Sequence, residues 1–279
     1  MKAAIITRIV IYSVLILVLC GLLVAGIMGS NFGFGIGMSM DYDDARSYTS
    51  VIDTAKVDAN TIDKIEIEWI SGDITIFVVD DSDNITFRSE IAEKDWQNMQ
   101  YRVKDGVLSI KFCKPRMIFG NIGSKDMNIY VPADKVLKEI DIECISGDVK
   151  QGTQGMLKAE NINIQTVSGR TNLSVLSDSI DCESVSGHID ITAGNNLRDG
   201  DFETVSADVN LTFMTVEGIK GFGFEAQFDS VSGSIRSDYE TSGYDNILVC
   251  DVYGTPTCEL DFDTVSGNVN IKNANKVAR

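Results

Sequence analysis

One histidine and three prolines stand in a chain of 279 residues, and 41 acidic side chains face only 24 basic ones. Each shortage removes a class of function. His188 is the single imidazole, so no Ser-His-Asp set can be proposed. A net charge of −17 excludes a nucleic-acid surface and disfavours attachment to anionic head groups by charge alone. So few prolines, beside 24 glycines, fit a turn-rich β protein rather than a disordered stalk. There is no glycine-rich phosphate loop and no zinc-type cysteine spacing. Beyond residue 61, helical periodicity is missing as well.

What the chain does have is one phrase, repeated: an apolar residue, Ser-Gly, a polar residue, and usually another apolar one. It occurs at Ser71-Gly72, Ser146-Gly147, Ser168-Gly169, Ser186-Gly187, Ser232-Gly233 and Ser266-Gly267, with a variant at Ser206-Ala207. The serine-to-serine spacings are 75, 22, 18, 20, 26 and 34 residues. Recurrence near twenty residues marks a solenoid in which each coil stacks on the last. The gap of 75 has room for coils that lost the phrase.

The flanking residues identify the solenoid. Four before each serine stand Ile67, Ile142, Ile164, Cys182, Phe202, Phe228 and Phe262. Three after it stand Ile74, Val149, Thr171, Ile189, Val209, Ile235 and Val269. Polar residues alternate with these, which is the pattern of a strand buried on one face. The phrase breaks the alternation, so it predicts a corner. Glycine there supplies a positive φ, and serine bonds its own local backbone. The expected fold is all-β, a single-stranded parallel β-helix (β-solenoid).

The N-terminus reads differently. Residues 1–8 form a short cytoplasmic segment, and 9–28 are twenty uncharged residues, long enough for a transmembrane anchor. Lys2 and Arg8 precede the span and Asp41, Asp43 and Asp44 follow it, so the C-terminal part is expected outside the cell membrane in a single-pass topology. A cleaved signal peptide is the alternative. Cys20 suits a membrane helix better than a lipidation site. Residues 29–60 are expected to be a linker and 61–279 the β-helix domain. Within that domain, Glu90 to Met99 suggest a short helix or cap.

Cys250 and Cys258 flank a turn-like stretch and could form a hairpin disulfide, although two buried thiols are favoured; Cys144 and Cys182 read as buried small side chains. The repeated serines recur too often for a nucleophile and read as corner residues. Two outward columns are mostly carboxylate. Five before each serine are Glu66, Asp141, Asn163, Asp181, Asp201, Gln227 and Asp261. Three before are Glu68, Glu143, Gln165, Glu183, Glu203, Asp229 and Asp263. Stacked like charges destabilise a sheet. They either form a solvated face or hold something cationic. Asp181, Glu183, Asp201 and Glu203 are the weak cation candidates, though no calcium loop is spelled out.

Tyr130-Val131-Pro132, Lys138-Glu139-Ile140-Asp141-Ile142 and Ser146-Gly147-Asp148-Val149 resemble the bacterial "putative adhesin" family of LiaG-like β-solenoids, over about 61–272. The resemblance implies an envelope-associated β-helix with no catalytic residues, no cofactor and, in some members, a link to envelope stress. Ala207 departs from the corner pattern. The expectation is a non-enzymatic, membrane-anchored surface-interaction protein with a protein or cell-wall partner on the acidic face. The alternative is an accessory or sensor protein of an envelope-stress response that binds cationic peptides or a membrane protein. A polysaccharide-acting enzyme is disfavoured, because the acids form regular columns and there are only two tryptophans.

Overall fold

Alternation before each Ser-Gly corner builds one strand, and alternation after it builds a second, so every coil contributes to two sheets. A computed structural model of the chain describes residues 47–90, 94–114, 123–153, 155–216, 222–244, 246–250 and 257–274. The expected cytoplasmic segment 1–8 and membrane span 9–28 lie outside the described residues. Among the described residues no helix is long and apolar enough to cross a membrane.

The first strands are β1 (Thr49–Ser50), β2 (Thr54–Asp58), β3 (Lys64–Ser71), β4 (Ile74–Val79), β5 (Asn84–Ser89), β6 (Gln100–Lys104), β7 (Val107–Lys111) and β8 (Met127–Pro132). The regular repeats are β9 (Leu137–Ser146), β10 (Val149–Gln151), β11 (Leu157–Ser168), β12 (Thr171–Leu176), β13 (Ser179–Ser184), β14 (Ile189–Gly194), β15 (Asp199–Thr204) and β16 (Val209–Met214). The chain closes with β17 (Phe224–Ser230), β18 (Ile235–Ser237), β19 (Ser242–Tyr244), β20 (Ile247–Cys250), β21 (Cys258–Thr264) and β22 (Val269–Asn273).

One parallel sheet runs β7-β3-β9-β11-β13-β15-β21-β17. The other runs β8-β4-β10-β12-β14-β16-β22-β18. Their inner faces meet in one core. Ile67, Ile142, Ile164, Cys182, Phe202 and Phe262 are each at most 2% exposed, as the alternation predicts, and burying such a side chain is worth roughly 1.5–3 kcal/mol. Cys144 is buried too. Phe202 stacks on Phe262 with centroids 5.1 Å apart.

The stacking order departs from the sequence at both ends. β7 and β8 form the coil without the phrase, and they lie outside β3 and β4 instead of between them and β9. Ser71 is therefore a register partner of Ser146 across a 75-residue gap. At the other end the last coil, β21–β22, sits between β15–β16 and β17–β18. Parallel pairing requires only matching edges, so the chain can skip a place and return to fill it.

Antiparallel strands cover the sheet ends. β6 and β1 extend one sheet beyond β7, and β5 and β2 extend the other beyond β8. β20 and β19 follow β17. Short antiparallel edges of this kind block end-to-end aggregation. The stretch expected as a linker, 29–60, therefore contains β1 and β2 in its described part, and Val51 and Ala59 are buried. β1 is only two residues long, and β2 alternates between exposed and half-buried positions with no fully buried residue to mark it. Between β5 and β6 the described residues form a 3-10 turn, Asp95–Gln97.

Candidate functional site

The corners are structural ladders. A Cβ placed on Gly147 would fall 2.0 Å from the Gly72 carbonyl oxygen, and one on Gly169 2.0 Å from that of Gly147. A Cβ on Gly187 would fall 1.5 Å from the Gly169 oxygen, and those on Gly267 and Gly233 would fall 2.0 Å from the oxygens of Ala207 and Gly267. Gly72, Gly147 and Gly169 also have positive φ; Gly187, Gly233 and Gly267 are not among the positive-φ glycines. Close approach of the next coil is thus the shared requirement, and backbone freedom the additional one at three corners.

The corner serines also bond between coils. The Ser186 amide donates to Val167 O at 3.2 Å, Ser266 to Val205 at 3.0 Å and Ser232 to Val265 at 3.0 Å. The Ser186 hydroxyl donates to Val167 O at 3.2 Å. Local self-bonding, as expected from the sequence, gives way because a neighbouring coil only about 4.8 Å away brings its carbonyl within reach. His188 belongs to a similar ladder: its Nδ1 accepts the Asp208 amide at 3.3 Å, as Asp148 Oδ1 accepts that of Arg170 at 2.8 Å.

Inside the corner lies a column that sequence reading did not single out as a unit. Cys144, Thr166, Ser184, Thr204, Thr264 and Ser230 occupy successive register positions. Thr166 donates to Ser184 Oγ at 3.1 Å, and Thr204 Oγ1 lies 3.0 Å from Thr264 Oγ1. Small residues two before every repeat serine except Ser71, where Trp69 stands, were the available signal. Two of them serve corner backbone groups: Ser184 Oγ accepts the Gly187 amide at 2.9 Å, and Thr204 Oγ1 reaches the Ala207 carbonyl at 3.1 Å.

The outward face of the first sheet carries the charge. At its N-terminal half cations are interleaved with acids. Lys64 Nζ lies 2.9 Å from Glu139, 3.1 Å from Glu66 and 3.5 Å from Asp141, and Lys111 pairs with Glu68. Burial opposes ionisation of Glu66, but the Lys64 and Ser109 bonds hold its carboxyl below the usual range.

Further along, on β13, β15 and β21, the compensation ends. Asp181, Asp201 and Asp261 are aligned in register, and so are Glu183, Glu203 and Asp263. Among the described residues no lysine or arginine pairs with these six. Burial against neighbouring strands pushes Asp201 up to about 7 although its edge reaches solvent, and Asp181, Asp261, Asp263 and Asp199 add to the shift. Burial and the charges of Asp201 and Glu183 push Glu203 up to about 7, and burial with Asp229 and Asp261 pushes Asp263 to about 6. Asp181, Glu183 and Asp261 are raised as well, by burial first.

The candidate cation residues Asp181, Glu183, Asp201 and Glu203 are thus neighbours on two adjacent strands. They form a flat ladder, not a cage, and among the described residues no group of three or more His, Cys, Asp or Glu is placed to hold a metal ion.

Cys250 and Cys258 are both buried, and neither forms a disulfide. Phe224 is the register partner of each, Cys250 on one side and Cys258 on the other. Two ladder spacings separate them by about 10 Å, beyond the roughly 7 Å that a disulfide can bridge. The favoured reading of two buried thiols stands, and the hairpin disulfide does not.

These features define a class: a parallel two-sheet β-solenoid with glycine-packed corners and antiparallel end caps. The chain belongs to the Toastrack DUF4097 family, whose model matches residues 60–272. The resemblance drawn from the Ser-Gly corners is borne out at that level. No curated protein matches. Among solved structures, the chain is similar to a "putative cell adhesion protein" from Clostridium sporogenes (16% identity, 81% of this chain and 100% of that one, TM-score 0.49). It is also similar to a "putative adhesin" from Bacteroides fragilis (17% identity, 79% and 95%, TM-score 0.40).

Proposed function

We propose that this is a non-enzymatic surface-interaction protein of the bacterial cell envelope, held in the membrane by residues 9–28 with its solenoid outside. In this reading the acidic face on β13, β15 and β21 engages a cationic partner. The observation that carries it is the asymmetry of one sheet: lysines interleave with the acids beside β3, and the same columns run uncompensated through β13, β15 and β21. A face meant only to stay soluble gains nothing from concentrating repulsion in one half. Complementary charge gives a partner fast association and orientation. The regular columns supply no nucleophile, base and orienting group in one place, which supports a binding role over catalysis.

The membrane placement rests on the uncharged run at 9–28 with Lys2 and Arg8 before it. A tag placed after Arg279 is expected to be cut by protease on intact spheroplasts while the protein remains in the membrane fraction. A protected tag contradicts the topology. On the same cells, a labelled lysine-rich peptide should be retained by the parent chain and lost when Glu183, Asp201 and Glu203 are neutralised. Equal retention by both contradicts the acidic-face reading.

A further inference from the structure

The coil β21–β22 is held entirely by strands remote from it in sequence. β21 pairs with β15 and with β17, and β22 with β16 and with β18. Its specific anchors on the β15–β16 side are also distant. Phe262 stacks on Phe202, and Thr264 Oγ1 meets Thr204 Oγ1 at 3.0 Å. The Asn268 amide donates to Asp208 Oδ1 at 2.7 Å, and Lys272 Nζ to Asn210 Oδ1 at 2.9 Å. Gly267 fits under the Ala207 carbonyl, where a Cβ would lie 2.0 Å from the oxygen. β20, the strand just before this coil, pairs with β17 and β19, and neither β21 nor β22 pairs with it.

The coil therefore occupies a slot with two parallel edges, one on β15–β16 and one on β17–β18, both in the same register. Every feature that selects the occupant lies in the slot walls and in residues 257–274. None depends on the peptide link between coil and slot.

We propose that this slot is an exchange site that accepts β21–β22 from a second copy of the chain, giving a reciprocally swapped dimer. Identical elements exchanged between identical chains preserve every native contact, so the cost is small and the closed form is a pair. Until residues 257–274 are in place, the two slot edges present unpaired amides and carbonyls, which are the groups that recruit another strand. Exchange happens when the slot opens, on folding or refolding at high chain concentration, and the folded monomer does not trade coils.

The test uses two differently tagged full-length chains, one carrying Thr204→Cys and the other Thr264→Cys. These positions are register partners in the buried column. The chains are unfolded together, refolded at high concentration and oxidised. The expected result is a species of twice the chain mass by light scattering, joined by a disulfide between the two tags and absent when the folded chains are simply mixed. A single chain carrying both substitutions should cross-link within itself when refolded dilute; failure there contradicts the register on which the slot rests. Refolded material that is wholly monomeric overturns the proposal, as does a dimer lacking the intertag disulfide.

Discussion

Asp201 and Asp261 face each other in register on adjacent parallel strands, 60 residues apart in the chain, with Asp181 on the other side of Asp201. Three carboxylates one strand spacing apart, each flanked by another acid two residues on, cannot all ionise without cost.

The first consequence is an inverted pH response. Asp201 and Glu203 have folded pKa values pushed up to about 7, Asp263 to about 6, and Asp181, Glu183 and Asp261 are raised too. Between the ordinary carboxylate pKa near 4 and these values, the folded chain binds more protons than the unfolded one. Their contribution to stability therefore grows as pH falls through 7 toward 4. Glu66, Asp63 and Asp73 are lowered and act in the opposite sense, but only near and below pH 4. Melting curves should show the Tm rising from pH 8 to pH 5 and falling at stronger acid. A Tm that declines steadily below pH 8 contradicts the ladder.

Neutralising the ladder should act in the same direction. Glu183→Gln with Glu203→Gln is expected to raise the Tm at low salt, and the gain should shrink in 0.5 M sodium chloride as screening shortens to roughly 4 Å. Calcium at matched ionic strength should act like sodium, because the acids form a flat ladder and not a cage. A calcium-specific Tm increase, lost in the variant, would show a metal site instead.

How much of this was written in the sequence depends on range. The inward column Ile67, Ile142, Ile164, Phe202 and Phe262 was legible because strand periodicity is local. The order of the coils was not. The phrases at Ser206, Ser232 and Ser266 are nearly alike, so nothing local says that Gly267 packs against Ala207 and Gly233 against Gly267. The acid columns could be counted, but the pairing of Lys111 with Glu68 depends on β7 lying outside β3, a placement no spacing reveals. The buried Thr204–Thr264 contact was missed for a different reason: polar residues at inward positions look like interruptions until the corner backbone groups they serve, such as the Ala207 carbonyl beside Thr204, are seen.

The corner account predicts a sharp asymmetry between similar substitutions. Gly169→Ala places a Cβ 2.0 Å from the Gly147 carbonyl oxygen at a φ of +137°. Overpacking of this kind typically costs roughly 1–3 kcal/mol. Ala207→Gly removes a methyl where the chain already tolerates one and should cost about 1 kcal/mol or less. Denaturant midpoints of the two variants would decide it, and comparable losses would remove close packing as the reason for glycine.

The thiols give a chemical check of the register. Cys258 is buried, its pKa pushed up to about 12 by that burial, and Phe224 separates it from Cys250. Alkylation should leave both cysteines unmodified in the folded chain and reach both after denaturation without reductant. A pair that resists alkylation until reduced would mean a disulfide, and the β20-β17-β21 order would be wrong.

The claim that the face on β13, β15 and β21 binds a cationic partner is tested most directly by one titration. A lysine-rich peptide is titrated at fixed ionic strength into the parent, into Glu183→Gln with Glu203→Gln, and into Asp134→Asn with Glu160→Gln, which removes the same number of carboxyl groups from exposed positions off the ladder. The expected result is a loss of about tenfold in affinity, roughly 1.4 kcal/mol, for the ladder variant and less than twofold for the control. Equal losses in the two variants would mean that the peptide senses only net charge, and the proposed face would not exist.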